Sequence, residues 1–431
     1  MKFYKSKTGD ILNWLFSVIL IMLAHVGASQ HVDVITIDSC QVKAKANYPL
    51  IKQYDLIEKT AEYTLSNANK AYLPQVSLTA IGGYIINGLP AISAPGQPAP
   101  EPAKVQAIGI AQINQVLWDG GATRAQKEIA KASAEVEKSN IDVSLFAIRE
   151  RVNQVFFGIL LIDEQLKQLD ILNDNLSRNL EKVKLSKENG IAYQSDVDEM
   201  KAELLNLEQK KIEFIFTRKG YVQMLSLLTG QLLDEKVKPE QPVVMKNIHL
   251  YQNNRPELKL YANQLKLVEA QEEINKVSLM PKIGLIGAGI FIGPGVNFGN
   301  STINNLSIAG LNLSWKIDGL YKNSNNKNLD KIKSDRILNQ QETFNFNNDL
   351  QLTQVASEIE KQRQIVVNDD EIVKLKNDIT KSYQLKFDNG ISSMNDLINA
   401  MNKESEARAN QAMHKVQLLM ATYNYKTISG N

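Results

Sequence analysis

What this chain of 431 residues lacks narrows its role first. It has one cysteine, Cys40, so no intrachain disulfide can form. Its four histidines, His25, His31, His249 and His414, make no spaced ligand pair and sit in no nucleophile motif. A phosphate-binding loop is absent. The glycine-rich stretch Gly287 to Gly293 has GxGxxxG spacing, with Pro294 where a dinucleotide-binding helix would have to start. No catalytic residue, metal or cofactor is therefore expected, and an enzymatic role has no residues to carry it. Charge is equally featureless: 49 Lys and Arg face 47 Asp and Glu with no basic block, which argues against a nucleic-acid partner. Past residue 29 no run of 18 apolar residues occurs, so no helix can span a bilayer core that needs about 20. If this chain crosses a membrane, it must do so with strands.

The first 29 residues have the order of a secretory signal peptide: Lys2, Lys5 and Lys7, an apolar stretch from Ile11 to Ala24, then Gly27, Ala28 and Ser29. Export with cleavage after Ala28 or Ser29 is expected, leaving 46 basic and 46 acidic side chains. Cys40 lies too far past that region for lipid attachment and reads as a small buried apolar residue on a short helix.

A duplication organises the exported chain. Asn47-Tyr48-Pro49-Leu50 has a counterpart in Asn254-Arg255-Pro256-Glu257, 207 residues on. Leu73-Pro74-Gln75-Val76-Ser77-Leu78 matches Met280-Pro281-Lys282-Ile283-Gly284-Leu285 at the same offset. Trp118-Asp119-Gly120 aligns with Ile317-Asp318-Gly319, and Asn189-Gly190-Ile191 with Asn389-Gly390-Ile391, now 199 and 200 residues apart. The drift belongs to one turn-rich loop, 87–104, with Pro90, Pro95, Pro98, Pro100 and Pro102, which is longer than its partner at 293–305. Each half then has one order: helix, proline, strand, loop, strand, Asp-Gly turn, very long helix, Asn-Gly turn, helix.

The strands look suited to lipid. Val76, Leu78, Ala80, Gly82, Tyr84 and Ile86 alternate on one face of the first, and Ile283, Leu285, Gly287, Gly289 and Phe291 on one face of the third. In the fourth, Ala309, Leu311, Leu313, Trp315 and Ile317 oppose Gly310, Asn312, Ser314 and Lys316, an apolar-out, polar-in pattern. The second strand, 105–117, is less regular, with Gln112 and Asn114 falling where the apolar face is expected. Tyr84, Phe291, Trp118 and Trp315 are candidates for the aromatic girdles of a membrane barrel. Four strands of a soluble sheet would show the same alternation. Four are also too few to close a barrel, so a barrel requires several chains.

From Gly121 to Lys187 there is no proline, and Gly158 is the one internal glycine, so a helix of roughly 100 Å is expected. Ile162, Leu166, Leu169, Leu176, Leu180 and Val183 have the spacing of a coiled-coil seam, and Ile372, Leu375 and Ile379 have it in the helix from Leu320 to Lys386. Partner helices at 192–228 and 393–427 carry Val197, Leu204, Leu207 and Phe214, and Leu397, Met401 and Leu418; they would pack antiparallel on the long ones. Asp119 and Asp318 stand at strand-to-helix junctions, where a carboxylate caps exposed amides.

In order and spacing, the duplicated proline-strand entry, the Trp118-Asp119-Gly120-Gly121 strand exit and the paired Asn-Gly-Ile turns resemble the TolC-like outer-membrane factors over essentially the whole exported chain. The resemblance implies an α+β membrane protein: tandem-duplicated long-helix hairpins forming a periplasmic α-barrel, plus four strands per chain contributing to a trimeric transmembrane β-barrel. The chain would divide into a signal peptide (1–29), N-terminal helices of the first repeat (30–72), strands (73–118, outer loop 87–104) and a helical hairpin (119–229). An equatorial linker (230–253) would lead to the second repeat's helix (254–280), strands (281–317, outer loop 293–305) and hairpin (318–428).

The function so implied is an exit duct in the outer membrane of a Gram-negative bacterium, extending into the periplasm, for a tripartite efflux pump or a type I secretion system. Its partners would be further copies of itself in a homotrimer, a periplasmic adaptor (membrane fusion) protein, an inner-membrane pump and outer-membrane lipid. In that family an acidic residue six positions after the turn glycine helps form a gate. Asp196 and Asp396 match, with Asp198 and Glu199 as neighbouring acids and Phe387 in the place of an aromatic gate partner. Ser392 and Asn399 depart from the pattern, since an arginine and a second acidic ring are common there. Asp196 and Asp396 equally suit ordinary helix starts. The turn residues Asn189, Gly190, Ile191, Asn389, Gly390 and Ile391 are candidates for adaptor contact. A periplasmic coiled-coil scaffold without a pore would share the helices but not the lipid-patterned strands.

Overall fold

The computed structural model describes residues 34–84, 86, 105–243, 253–298 and 301–431, with side chains except at 106, 294–298 and 301–304. The expected signal peptide, the loop at 87–104 and residues 244–252 of the expected linker lie outside the described residues. Among the described residues, no helix is long and apolar enough to cross a membrane.

In chain order the elements are β1 (Val34–Ile35), α1 (Ile37–Asn47), α2 (Gln53–Lys70), β2 (Gln75–Tyr84), β3 (Val105–Trp118), α3 (Ala122–Phe146), α4 (Ile148–Glu188) and α5 (Gln194–Thr229). Next come β4 (Lys238–Pro239), α6 (Pro256–Val277), β5 (Lys282–Phe298), β6 (Ser301–Ser314), α7 (Asp318–Asp388) and α8 (Met394–Ile428). They fall into two compact units. One takes its described residues from 34–48, 148–243 and 354–427, the other from 49–147, 253–353 and 428–431.

The first unit is helical apart from a short parallel bridge between β1 and β4. α1 lies against α4 and α5 with Ile37, Cys40 and Ala44 buried, and burial pushes the Cys40 thiol up to about 11. Asn47 donates from Nδ2 to the carbonyls of Leu227 (3.0 Å) and Leu228 (3.2 Å), satisfying the last turn of α5. Gly158 marks the close approach of α4 to α5: a Cβ there would lie 3.1 Å from the Tyr221 ring. Farther along, Leu172, Leu176 and Val183 of α4, Val197, Met200 and Leu207 of α5, and Met394, Leu397, Ile398 and Met401 of α8 form one buried cluster. Burying each such side chain stabilises by about 1.5–3 kcal/mol. An exposed helix ion pair such as Lys184–Glu181 contributes about 0–1 kcal/mol. The apolar seam, rather than the charged surface, holds these hairpins.

Within α7 the seam departs from expectation. Its buried and half-buried line is Ile359, Gln362, Val366, Asp369, Val373, Lys376, Thr380, Tyr383 and Phe387, again spaced by threes and fours. Ile372, Leu375 and Ile379 are one residue out of phase and stay exposed. The reason is polar. His414 Nδ1 lies 2.8 Å from Asp369 Oδ2, Gln362 donates to Gln417 Oε1 (3.2 Å), and the Thr380 hydroxyl donates to the Ala400 carbonyl (3.1 Å). Hydrogen bonds to α8 choose this row, which an apolar stripe in the sequence cannot reveal.

The second unit holds the remaining sheet and its supporting helices, with α3 packed on α2 and α6. Pro256 opens α6 at its first turn, where a missing N–H costs nothing. Arg255 before it sets its guanidinium 4.8 Å from the Phe146 ring centroid and 5.6 Å from that of Phe344 while bonding Glu257, which ties α3, α6 and α7 together. The single helix expected from Gly121 to Lys187 is two, interrupted at Ala147. No proline or glycine stands there. Ala147 keeps right-handed helical angles (φ −60°, ψ −19°), and the flanking Leu145 and Ile148 are both buried.

The sheet runs β2-β3-β5-β6, every neighbour antiparallel. β5 continues to Phe298 and β6 begins at Ser301, so most of the outer loop expected at 293–305 is strand. Pro294 is accommodated by a register irregularity between Phe291 and Val296, the kind of place where a sheet tolerates proline. β6 stops at Ser314, short of the expected Ile317.

Asp119 secures the passage from β3 into α3. Its Oδ1 accepts from the Gly121 N–H and the Tyr72 hydroxyl, both at 2.9 Å, and its Oδ2 from the Thr123 N–H at 2.6 Å. Asp318 does not copy this role: it is the exposed first residue of α7 and pairs with Lys322 at 3.1 Å. Burial pushes the Asp119 carboxyl up, but hydrogen bonds from Thr123, Tyr72 and Gly121 outweigh it and hold it at about 2. A depressed folded value means stability that is present above the unfolded carboxyl range and lost as pH falls through the folded one. Asp119→Asn should therefore lower unfolding stability at pH 7 by about 2 kcal/mol, with the gap to wild type closing between about pH 4 and pH 2 in thermal melts.

Candidate functional site

Two regions carry chemistry that folding alone does not require: the faces of the four-stranded sheet and the turns that join the long helices. The sheet contains one charged side chain among its described residues, Lys282 at the start of β5. Both faces are solvent-accessible in the single chain, and the outer edges of β2 and β6 have no strand beside them among the described residues.

Register assigns the faces. Val76 lies opposite Ile113 and Leu78 opposite Ala111; Ile113 lies opposite Gly287 and Ala111 opposite Gly289; Gly287 lies opposite Ala309 and Leu285 opposite Leu311. This face is apolar from edge to edge apart from Gln115, Ser307 and Asn305. It also carries Tyr84 and Phe291. A bulge between Val116 and Trp118 places Trp118 opposite Ile283, on the same face. From Ile283 to Phe291 is eight residues, about 27 Å along the strand and near 20 Å along the axis of a barrel with strands tilted about 40°. That approaches the roughly 25 Å apolar band of membrane barrels. Trp315 lies just past β6 and donates from Nε1 to the Leu279 carbonyl (3.0 Å).

The opposite face has two zones. Gln75, Ser77, Gln112, Asn114, Asn312 and Ser314 of β2, β3 and β6 line its part nearer the helices, with Ile286 and Ala288 of β5 among them. Gln112 and Asn114 are thus members of a polar face and do not interrupt an apolar one, which corrects the expectation for β3. The error lies in phase: Ile108 and Ile110 suggest that the even positions of β3 are the apolar set, whereas the pairing gives that part to Ala111 and Ile113. Beyond the polar zone the same face turns aliphatic. Ile81 lies opposite Ile108 and Ile108 opposite Ile292; Ile110 lies opposite Ile290 and Ile290 opposite Leu306. Sequence inspection misses these rows because no single strand shows them.

At the other region the two helix-to-helix turns are built alike. Gly190 and Gly390 have φ of 75° and 70°, and each helix closes with Ile191 N–H on Ser186 O and Gly190 N–H on Lys187 O, or Ile391 on Lys386 and Gly390 on Phe387. Asn189 and Asn389 donate from Nδ2 to the carbonyls of Leu185 (2.9 Å) and Leu385 (2.7 Å). All six candidate contact residues thus serve the turn, Ile191 and Ile391 through their backbone N–H groups alone. Ile191 (77 % exposed) and Ile391 (75 %) face solvent, as does Tyr193.

The gate candidates begin α5 and α8. Asp196 Oδ2 accepts from the Tyr193 N–H (2.8 Å), and Asp396 Oδ2 from the Ser393 N–H (3.1 Å) and hydroxyl (2.7 Å), while Ser393 Oγ accepts from the Asp396 N–H. The Ser393 hydroxyl and N–H hold the Asp396 carboxyl below its ordinary range. Both acids cap their helices. Val197 and Leu397, the next residues, share the buried cluster, and Phe387 packs against it. Glu199 is exposed; Asp198 accepts from Gln194; Ser392 donates to the Tyr383 carbonyl (3.4 Å). Asn399 donates to Asn395 and lines a cleft of about 550 Å³ among α4, α5 and α8, beside Glu203, Lys210, Asn402, Lys403 and Glu406. Sequence spacing does not reveal that cleft, because its lining comes from three helices distant in the chain. Among the described residues no group of acidic, histidine or cysteine side chains could hold a metal.

No protein-family model matches the chain, and no curated protein matches it in sequence. Solved structures do. It superposes on the outer membrane protein VceC of Vibrio cholerae with a TM-score of 0.64 and 11% identity, over 90% of this chain and 95% of that one. The CmeC outer membrane channel of Campylobacter jejuni gives 0.63 and 14% over 91% and 85%, and the open-state MtrE outer membrane channel of Neisseria gonorrhoeae 0.63 and 13% over 91% and 88%. At such identities the likeness is one of fold.

The turn glycines give a direct check on this geometry. No atom lies within 4 Å of a Cβ at Gly190 or Gly390, so only the left-handed backbone resists substitution. Gly190→Ala and Gly390→Ala should each destabilise by about 1 kcal/mol in thermal unfolding, with helix content by circular dichroism unchanged.

Proposed function

From a chain that has the fold of the TolC-like outer-membrane channels, we propose an exit duct in the outer membrane of a Gram-negative bacterium, working with an efflux pump or a type I secretion system. The observation that carries this is the sheet. Among the described residues it is uncharged but for Lys282, apolar across one face with aromatic residues toward both ends, polar over part of the other, and without a neighbouring strand at either edge. A membrane admits strands only in closed barrels, because every backbone amide must be paired away from water. Four strands close nothing, so three copies with twelve strands complete the barrel, and the long hairpins extend into the periplasm.

The exposed Ile191 and Ile391, with Tyr193 beside them, form the contact surface for a periplasmic adaptor that leads to an inner-membrane pump. In a closed turn of this type the hydrophobic residue after the glycine commonly packs back on its own helix; here both isoleucines are free to be covered by something else. Tyr84, Phe291, Trp118 and Trp315 meet the membrane interfaces. Asp196 and Asp396, repeated threefold at the narrow end, give the bore a cation preference in addition to capping their helices.

Detergent-extracted protein should run as a trimer in mass measurements and form discrete channels in planar bilayers; a soluble monomer without channels would contradict the proposal and favour a coiled-coil scaffold. Asp396→Asn keeps a side-chain oxygen for the Ser393 N–H but removes the charge. It should weaken divalent-cation block of the channel while the melting temperature stays within a degree or two of wild type; unchanged block would leave Asp396 a helix cap alone.

A further inference from the structure

We propose that the aliphatic rows on the otherwise polar sheet face form a ring on the conduit wall, where solutes with an apolar surface dwell as they leave. This rests on the duct function proposed above and adds a chemical preference to its exit section. Ile81, Ile108 and Ile292 make one row; Ile110, Ile290 and Leu306 make the next. Side chains opposite one another on neighbouring strands sit about 5 Å apart, so each row is a continuous strip within one chain, and three copies bring the strips around the barrel.

Insertion into lipid does not explain these residues. The other face already supplies an apolar surface and the aromatic side chains, and a face that turned to water throughout would be polar along its length, as barrel interiors are. The change from Gln112, Asn114, Asn312 and Ser314 to isoleucine and leucine is also not local to one strand. It occurs on β3, on β6 and, at Ile81, on β2, while β5 is aliphatic on this face from Ile286 through Ala288 and Ile290 to Ile292, and no charged side chain lies among the aliphatic rows. A wall of this kind offers no site to an ion as such, but it removes apolar solute surface from water. Covering about 60 Å² of such surface lengthens residence about tenfold.

Two monovalent cations of opposite surface chemistry separate the possibilities in single-channel recordings. Tetraphenylphosphonium should interrupt the current with resolvable dwells, and tetraethylammonium should not. The double variant Ile108→Thr with Ile290→Thr, chosen because threonine keeps strand propensity, should shorten the tetraphenylphosphonium dwell about tenfold. Thr79→Val, which extends the second row opposite Ile110, should lengthen it severalfold. Equal interruption by both cations, or dwells that neither variant moves in channels that otherwise conduct normally, would overturn the inference. Should the double variant fail to assemble, the Thr79→Val dwell decides it. Absence of channels from the wild type would instead contradict the duct function, and this inference with it.

Discussion

The constraint on which the rest depends is the pairing of backbone amides at two strand edges. A sheet with one charged residue and an apolar face cannot present a row of free N–H and C=O groups to lipid, and in water the same edges would invite indiscriminate association. Either environment demands that β2 and β6 find partners. The proposed closure with further copies would meet that demand with no new element and would tie stability to assembly. The two irregularities, the bulge before Trp118 and the break that accommodates Pro294, sit where the strands leave the regular register, so the paired stretch between them stays continuous.

The helices obey a different balance. Around the turns, a cluster drawn from α4, α5 and α8 is almost wholly aliphatic and methionine, whereas the line along α7 alternates Ile359 and Val373 with Gln362, Asp369 and Thr380. Apolar burial gives the first its strength. The second places hydrogen bonds at fixed heights, Asp369 with His414 and Thr380 with Ala400, and polar rungs in a helical seam specify register at a cost in stability. The helix starts show the same double use: Asp196 and Asp396 already satisfy backbone amides, so any further role at a narrow bore is carried by a charge whose position the cap has fixed.

Much of this architecture is legible in the residues. The tandem repeat, the alternating strands and the Asn-Gly turns emerge from spacing alone, since proline, glycine and period-two alternation act locally. Some misses are local, as where Asp318 pairs with Lys322 one turn on instead of copying the cap of Asp119, but most are non-local. Gln112 and Asn114 look misplaced until pairing with β5 sets the phase of β3; the seam of α7 moves by one residue because its partners are polar groups of α8; the break at Ala147 has no local cause; and the cleft beside Asn399 needs three helices to exist. The turn and gate residues are nameable from the resemblance, but only coordinates separate the work of Asn189 and Gly190 within the turn from the exposure of Ile191.

Amide hydrogen exchange over β2 and β6 in the detergent-extracted protein tests the central claim most directly. If the edges are closed by neighbouring copies, the amides of 75–84 and 305–314 exchange as slowly as those of the inner strands β3 and β5. Fast exchange at every second edge amide, with β3 and β5 protected, would show an open sheet and contradict the account.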